Sequence, residues 1–121
     1  MDQKILMHGF VDDPYKIVSK CDLMILPSLS EGISRAVLEC LYLGLKCLVF
    51  DVDANSELAQ KCNNLYVVKS KKELKNKILY FIKNKYDFNK KVNSLPFEYS
   101  QSESIKKFIN VLKKYDLKYY N

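Results

Sequence analysis

Histidine, glycine and long apolar runs are all scarce in this chain of 121 residues, which has one histidine and three glycines. The four cysteines, Cys21, Cys40, Cys47 and Cys62, are spaced 19, 7 and 15 apart and form no C-x-x-C pair. With a single histidine beside them they lack the ligand spacing of a metal site, so no metal is expected. Three of them lie in apolar segments, which predicts reduced thiols used as small core residues in a reducing compartment. No stretch approaches the roughly 18–20 apolar residues that a membrane span needs. Residues 1–12, MDQKILMHGFVD, lack the apolar run of a secretory signal, and a cytoplasmic location is expected. There is no glycine-rich phosphate loop, no internal repeat, and no βαβ unit ahead of the first apolar run.

What is abundant is lysine, and its placement is uneven. The formal charge is +6, with residues 1–62 at about −3 and residues 63–121 at about +9. The lysines of the second half are spread along helical patterns between apolar positions, not grouped with stacking aromatics and arginines. A solvated helix face accounts for them, and no nucleic-acid partner is expected.

Residues 4–8 (KILMH) and 23–26 (LMIL) read as strands, and DDPYKIVSKC between them as a helix entered at Asp13 and Pro14. The loop PSLSEG leads to a helix from Ser34 to Leu43, closed by Gly44, whose freedom at positive φ suits a helix C-terminus. A strand at Cys47 to Phe50, a short helix over 54–62 and a last strand at Leu65 to Val68 follow. Lys71 to Tyr86 then forms an amphipathic helix with Leu74, Ile78, Phe81 and Ile82 on one face. Short apolar strands alternating with helices indicate an α/β fold, a Rossmann-like parallel sheet with helices on both faces. That unit spans residues 1–93, and residues 94–121 are a polar, aromatic connector and a helix marked by Ile105, Phe108, Ile109 and Leu112.

The stretch Pro27 to Glu39, PSLSEGISRAVLE, leaves the carboxyl end of a strand and enters a helix, the edge where open α/β sheets bind ligands. Gly32 permits close approach of the backbone, and the free N–H groups of the next helix favour a phosphate or a polarised sugar oxygen. An ordinary strand-to-helix turn capped by serines is the competing reading. Glu39 sits in a nearly unbroken apolar run and needs a partner. Either it occupies a solvent-facing stripe beside Arg35 and Leu43, or it reaches polar ligand groups at the cleft. Glu31, eight positions earlier, is placed to face the same cleft.

Residues from MHGFVDD to DANSEL resemble the C-terminal domain of the group 1 family of GT-B glycosyltransferases. The likeness rests on the Gly-hydrophobic strand end, Cys-Asp before a strand, Pro-Ser, Glu-Gly, and two glutamates separated by seven residues. It continues through Leu65 to Val68 and the following helix to Tyr99-Ser100. The resemblance implies the C-terminal half of a GT-B architecture without its N-terminal domain, binding a nucleoside diphosphate sugar for retaining transfer to an acceptor hydroxyl. It implies that Glu31 acts at the donor sugar near the reacting carbon and that Glu39 binds the ribose hydroxyls. The N–H groups of Gly32, Ile33 and Ser34 would meet sugar and diphosphate, and Phe10, Val11 and Lys16 would border the base. No cofactor and no metal are implied.

The family's basic clamp for the diphosphate and its acceptor domain belong ahead of Met1, so this chain is expected to be inactive by itself. A companion chain carrying the acceptor domain would be its partner. Ile33-Ser34 replaces the family's more usual aromatic-glycine step and leaves the sugar open. Surface polysaccharide or glycoconjugate synthesis, at the inner face of the membrane, is the pathway class implied. Tyr115, Tyr119 and Tyr120 among lysines suit peripheral contact with a membrane bearing a lipid-linked acceptor; a terminal helix deprived of its partner domain is the other reading. Asp51-Val52-Asp53 after a strand offers a rival, metal-dependent GT-A chemistry. A second rival is a non-catalytic nucleotide-binding or protein-interaction remnant of an interrupted gene. His8, without Asp or Ser partners at motif spacing, is read as structural.

Overall fold

The computed structural model describes residues 5–30, 32–52, 54–84 and 91–114, with side chains beyond 107 described only at Asn110. In chain order the elements are α1 (Tyr15–Val18), β1 (Leu23–Leu26), α2 (Arg35–Tyr42), β2 (Lys46–Phe50), α3 (Asn55–Gln60), β3 (Leu65–Val68) and α4 (Lys71–Lys83). A 3-10 turn (Phe97–Tyr99) and α5 (Gln101–Lys114) complete the described chain. The strands form one parallel sheet in the order β1-β2-β3, with Cys47 opposite both Met24 and Leu65.

Alternation along β2 explains the layering. Cys47 and Val49 point to one face, where Val37 and Leu41 of α2 and Leu58 of α3 pack with them. Leu48 and Phe50 point to the other, where Val68 and the α4 residues Leu74 and Ile78 meet them. Helices thus cover both faces, as the alternating pattern predicts. Each fully buried leucine here, such as Leu41, Leu48 and Leu58, contributes about 1.5–3 kcal/mol by leaving water.

Two expectations fail. Of the strand predicted at residues 4–8, Lys4 lies outside the described residues, and residues 5–8 are irregular, so among the described residues the sheet has three strands and not four. Ile5, Leu6 and Met7 are 79%, 72% and 91% exposed. A short apolar run becomes a strand by pairing and by covering an apolar face; this one does neither among the described residues, and Gly9 at φ 63° turns the chain just after it. In α4, Phe81 is buried edge-on against Tyr66, with ring centroids 5.0 Å apart, but Ile82 is exposed. At eight positions from Leu74 it falls at the margin of the apolar stripe. α4 ends at Lys83, and the last residues of the predicted helix, Lys85 and Tyr86, lie outside the described residues.

α4 starts at a reciprocal cap. The Ser70 hydroxyl accepts from the Glu73 N–H at 3.1 Å, and the Glu73 carboxylate accepts from the Lys69 N–H at 2.8 Å. α2 ends at Tyr42 with Leu43 as its C-cap, and Gly44 follows at a φ of 80°, which bears out its predicted role in closing the helix.

The connector after residue 91 is tied to the sheet domain at several points. Ser94 N–H donates to the Leu41 carbonyl at 3.0 Å, and the Cys62 thiol donates to the Ser94 carbonyl at 3.1 Å. Lys61 pairs with Glu98 at 2.8 Å and Glu57 at 3.3 Å and lies 5.6 Å from the Tyr99 ring centre. The Glu98 carboxylate holds the Lys61 ammonium above its usual pKa, and Lys61 holds Glu98 below its own. These ties set Tyr99, Ser100 and Gln101 beside α2.

The cysteines divide as the sequence predicts for core residues: Cys40, Cys47 and Cys62 are buried, while Cys21 is exposed. Contact with the Cys40 sulfur, then burial, pushes the Cys47 thiol up. Reaction requires access and a thiolate. Ellman's reagent is therefore expected to titrate one thiol rapidly in the native protein and four after denaturation; a second fast native thiol would contradict this packing.

Candidate functional site

The loop from Pro27 to Ser34 links the carboxyl end of β1 to α2, the edge at which open α/β sheets in general bind ligands. Ser34 is extended (φ −67°, ψ 120°) and its hydroxyl makes no capping hydrogen bond. Leu38 is the first N–H to close on it, to the Ser34 carbonyl at 3.1 Å. The N–H groups of Arg35, Ala36 and Val37 have no intrahelical acceptor, and the positive end of the helix dipole faces the same way. Gly32 stands in open space, with nothing within 4 Å of where a Cβ would sit.

One face of α2 is buried through Val37, Cys40 and Leu41. The opposite stripe, Arg35, Glu39 and Tyr42 at i, i+4 and i+7, lines a cavity of about 760 Å³ between α1, α2 and the start of α5. Tyr15 of α1, Tyr99 and Ser100 of the connector and Gln101 at the start of α5 line its other sides. That volume lies within the range of small-molecule sites, roughly 300–1,000 Å³.

Glu39 takes the solvent-facing alternative. It is 34% exposed by side chain and accepts from Arg35 Nε at 2.9 Å. Arg35 is 89% exposed, and an exposed i,i+4 pair is worth only about 0.3–0.5 kcal/mol. The pair is therefore no structural necessity, and a ligand can displace Arg35 at little cost. The carboxylate also lies beside the Tyr15 hydroxyl; accepting that hydrogen bond, and by its charge, it raises the Tyr15 pKa above the usual phenol value.

Among the other nominated residues, Glu31 lies outside the described residues. Ile33 is 42% exposed, Phe10 is 94% exposed, and Lys16 pairs with Asp13 at 3.6 Å. Phe10, Val11, Lys16, Gly32, Ile33 and Ser34 do not line the cavity with Glu39. The sequence reading missed Tyr15, Tyr42 and Gln101. The signal was present in α2, where a polar and aromatic stripe runs opposite the buried one.

Asp51 accepts from the Ser56 hydroxyl at the start of α3, which accounts for that carboxylate. Asp53 lies outside the described residues, and among the described residues no group of three His, Cys, Asp or Glu side chains converges. His8 is exposed in the irregular segment. No helix among the described residues is long and apolar enough to cross a membrane.

A family model described as glycosyl transferases group 1 matches residues 1–95. The O-antigen biosynthesis glycosyltransferase WclY of Escherichia coli is 25% identical over 112 residues, which is 92% of this chain and 32% of that protein. The UDP-Gal:alpha-D-GlcNAc-diphosphoundecaprenol alpha-1,3-galactosyltransferase of Escherichia coli is 33% identical over 60 residues, 50% of this chain and 16% of the relative. The chain thus spans about a third or less of the curated relatives it matches. No solved structure matches it significantly.

Proposed function

The chain belongs to the group 1 glycosyltransferase family, and from that premise we propose that it binds a nucleoside diphosphate sugar for retaining transfer of the sugar to an acceptor hydroxyl. The observation that carries this reading is Glu39, a carboxylate on the cavity wall one turn inside a helix whose N-cap residue, Ser34, makes no side-chain cap. Its two oxygens accept from the two ribose hydroxyls. The N–H groups that open α2, with those of Gly32, Ile33 and Ser34, receive the diphosphate and the sugar. Departure of a nucleoside diphosphate builds negative charge on phosphate oxygens, and preorganised donors at a helix N-terminus stabilise it without reorganising. Glu31 acts at the sugar hydroxyls near the reacting carbon, and the acceptor-side residues come from outside these 121 residues.

The family relation supports a transferase; the names of the two relatives, an O-antigen biosynthesis glycosyltransferase and a galactosyltransferase named for a GlcNAc-diphosphoundecaprenol, support surface polysaccharide assembly on a lipid-linked acceptor. Donor binding needs no metal on this reading. Calorimetry with UDP-sugars and GDP-sugars is expected to give weak binding to one series, unchanged by EDTA, and no measurable transfer by these residues alone. Binding abolished by EDTA would favour a metal-dependent chemistry through Asp51 and Asp53, and no binding of either series would defeat the ligand assignment.

A further inference from the structure

We propose that the outward flank of α4 docks on an anionic lipid bilayer, with Leu79 and Ile82 entering the headgroup layer and Lys72, Lys75 and Lys83 meeting lipid phosphates. The inference does not depend on the donor reading, because α4 and α2 pack on opposite faces of the sheet. It starts from two stripes on one helix. Leu74, Ile78 and Phe81 turn inward, to the sheet. Lys72, Lys75, Leu79, Ile82 and Lys83 recur at i, i+3, i+7, i+10 and i+11, which at 3.6 residues per turn gathers them within about 100° of the helix circumference. All five are exposed, Leu79 by 42% and Ile82 by 66%. The domain core therefore does not account for two branched apolar side chains one helical turn apart.

Charge identifies the partner. α4 carries Lys71, Lys72, Lys75, Lys77 and Lys83 against a single acid, Glu73. That carboxylate is engaged at the start of the helix, where it accepts from the Lys69 N–H. Lys77 lies over the rings of Tyr66, Tyr80 and Phe81, but among the described residues no ion pair takes up Lys72, Lys75 or Lys83. A lysine covers apolar surface with its stem and keeps its ammonium in water. Apolar side chains set among lysines on one flank are the composition of helices that lie in a bilayer interface. Each such lysine adds attraction to an anionic surface within a Debye length. A protein partner fits less well, since protein interfaces are depleted in lysine. Nucleic acid fits less well again, because the chain has one arginine, Arg35, and it stands on α2.

The test is cosedimentation of the full chain with vesicles of phosphatidylcholine alone or of equal parts phosphatidylcholine and phosphatidylglycerol. Binding to the mixed vesicles, weakened by salt, is expected, and none to phosphatidylcholine. Lys72→Gln, Lys75→Gln and Lys83→Gln combined should weaken it on the order of 100-fold, roughly fivefold for each lysine. Leu79→Gln with Ile82→Gln should weaken it several-fold through lost insertion. The control, Lys20→Gln, Lys106→Gln and Lys107→Gln combined, removes the same charge elsewhere and should retain most of the binding. Every substituted residue is exposed, so the native NMR spectrum should persist in all three variants. If the α4 variants bind as the wild type does, or the control loses as much as the α4 lysine variant, the contact is not this flank and the proposal falls. Equal binding to both vesicle types would overturn the charge argument; no binding to either would overturn the proposal and leave the flank to a protein partner. Donor titration is a separate readout, in which the α4 variants should match the wild type.

Discussion

Gly44→Ala is expected to destabilise the domain by about 3 kcal/mol or more, lowering the melting temperature by roughly 10 °C. Two causes add. The residue has φ of 80°, a conformation that costs an L side chain about 1–2 kcal/mol. Its new Cβ would also lie 2.6 Å from the Val92 nitrogen, 2.8 Å from the Lys91 carbonyl carbon and 2.9 Å from the Val92 oxygen. These are backbone atoms of a strap that is held on both sides of the contact: Lys91 donates to the Ser19 carbonyl and Ser94 to the Leu41 carbonyl. Moving the strap would loosen those bonds and the wall that carries Tyr99 and Gln101. Gly32→Ala is the control, since a Cβ there meets nothing within 4 Å and the stability change should stay within about 0.5 kcal/mol. Thermal denaturation of the two variants side by side checks the pair; equal melting temperatures would refute the strap contact.

Glu39→Ala is expected to weaken binding of the nucleoside diphosphate sugar by at least roughly 100-fold, because hydrogen bonds to a charged group are worth about 1.5–3 kcal/mol each and two are lost. Folding should be almost untouched. The variant gives up one exposed pair with Arg35, worth about 0.3–0.5 kcal/mol, and the hydrogen bond from the exposed Tyr15 hydroxyl, and gains the best helix former. This separation of binding from stability distinguishes a ligand-binding carboxylate from a structural one. Glu39→Gln, which keeps one acceptor oxygen and loses the charge, should fall between. A Glu39→Ala protein that binds the donor as the wild type does would remove Glu39 from the site.

The sequence was most legible where periodicity and burial coincide. The strands at Cys47–Phe50 and Leu65–Val68 and the stop at Gly44 were readable because each is decided by a few neighbouring residues. The segment at residues 5–8 was misread because an apolar run carries no record of whether a partner strand stands beside it. Asn55 was not foreseen as a buried residue. It is 2% exposed, and its side-chain amide donates to the Phe50 carbonyl at 3.0 Å, a local bond that lets a polar group enter the core. Glu39 was found through its incongruity in an apolar run. Tyr15, Tyr42 and Gln101 were not, because three separate elements bring them together and the connector is held beside α2 by long-range ties such as those to Leu41, Cys62 and Lys61. Arg35, Glu39 and Tyr42 alone shared a spacing that a helical reading could have grouped.

The central claim is that the face of α2 holds the donor. Heteronuclear NMR of the labelled chain, titrated with UDP-sugars and GDP-sugars, tests it most directly. The account predicts that one series shifts the amides of Gly32 to Glu39 together with Tyr15 and Tyr42, while α4 stays unchanged. Saturable shifts confined to α4 and β3, or none with either series, would contradict it.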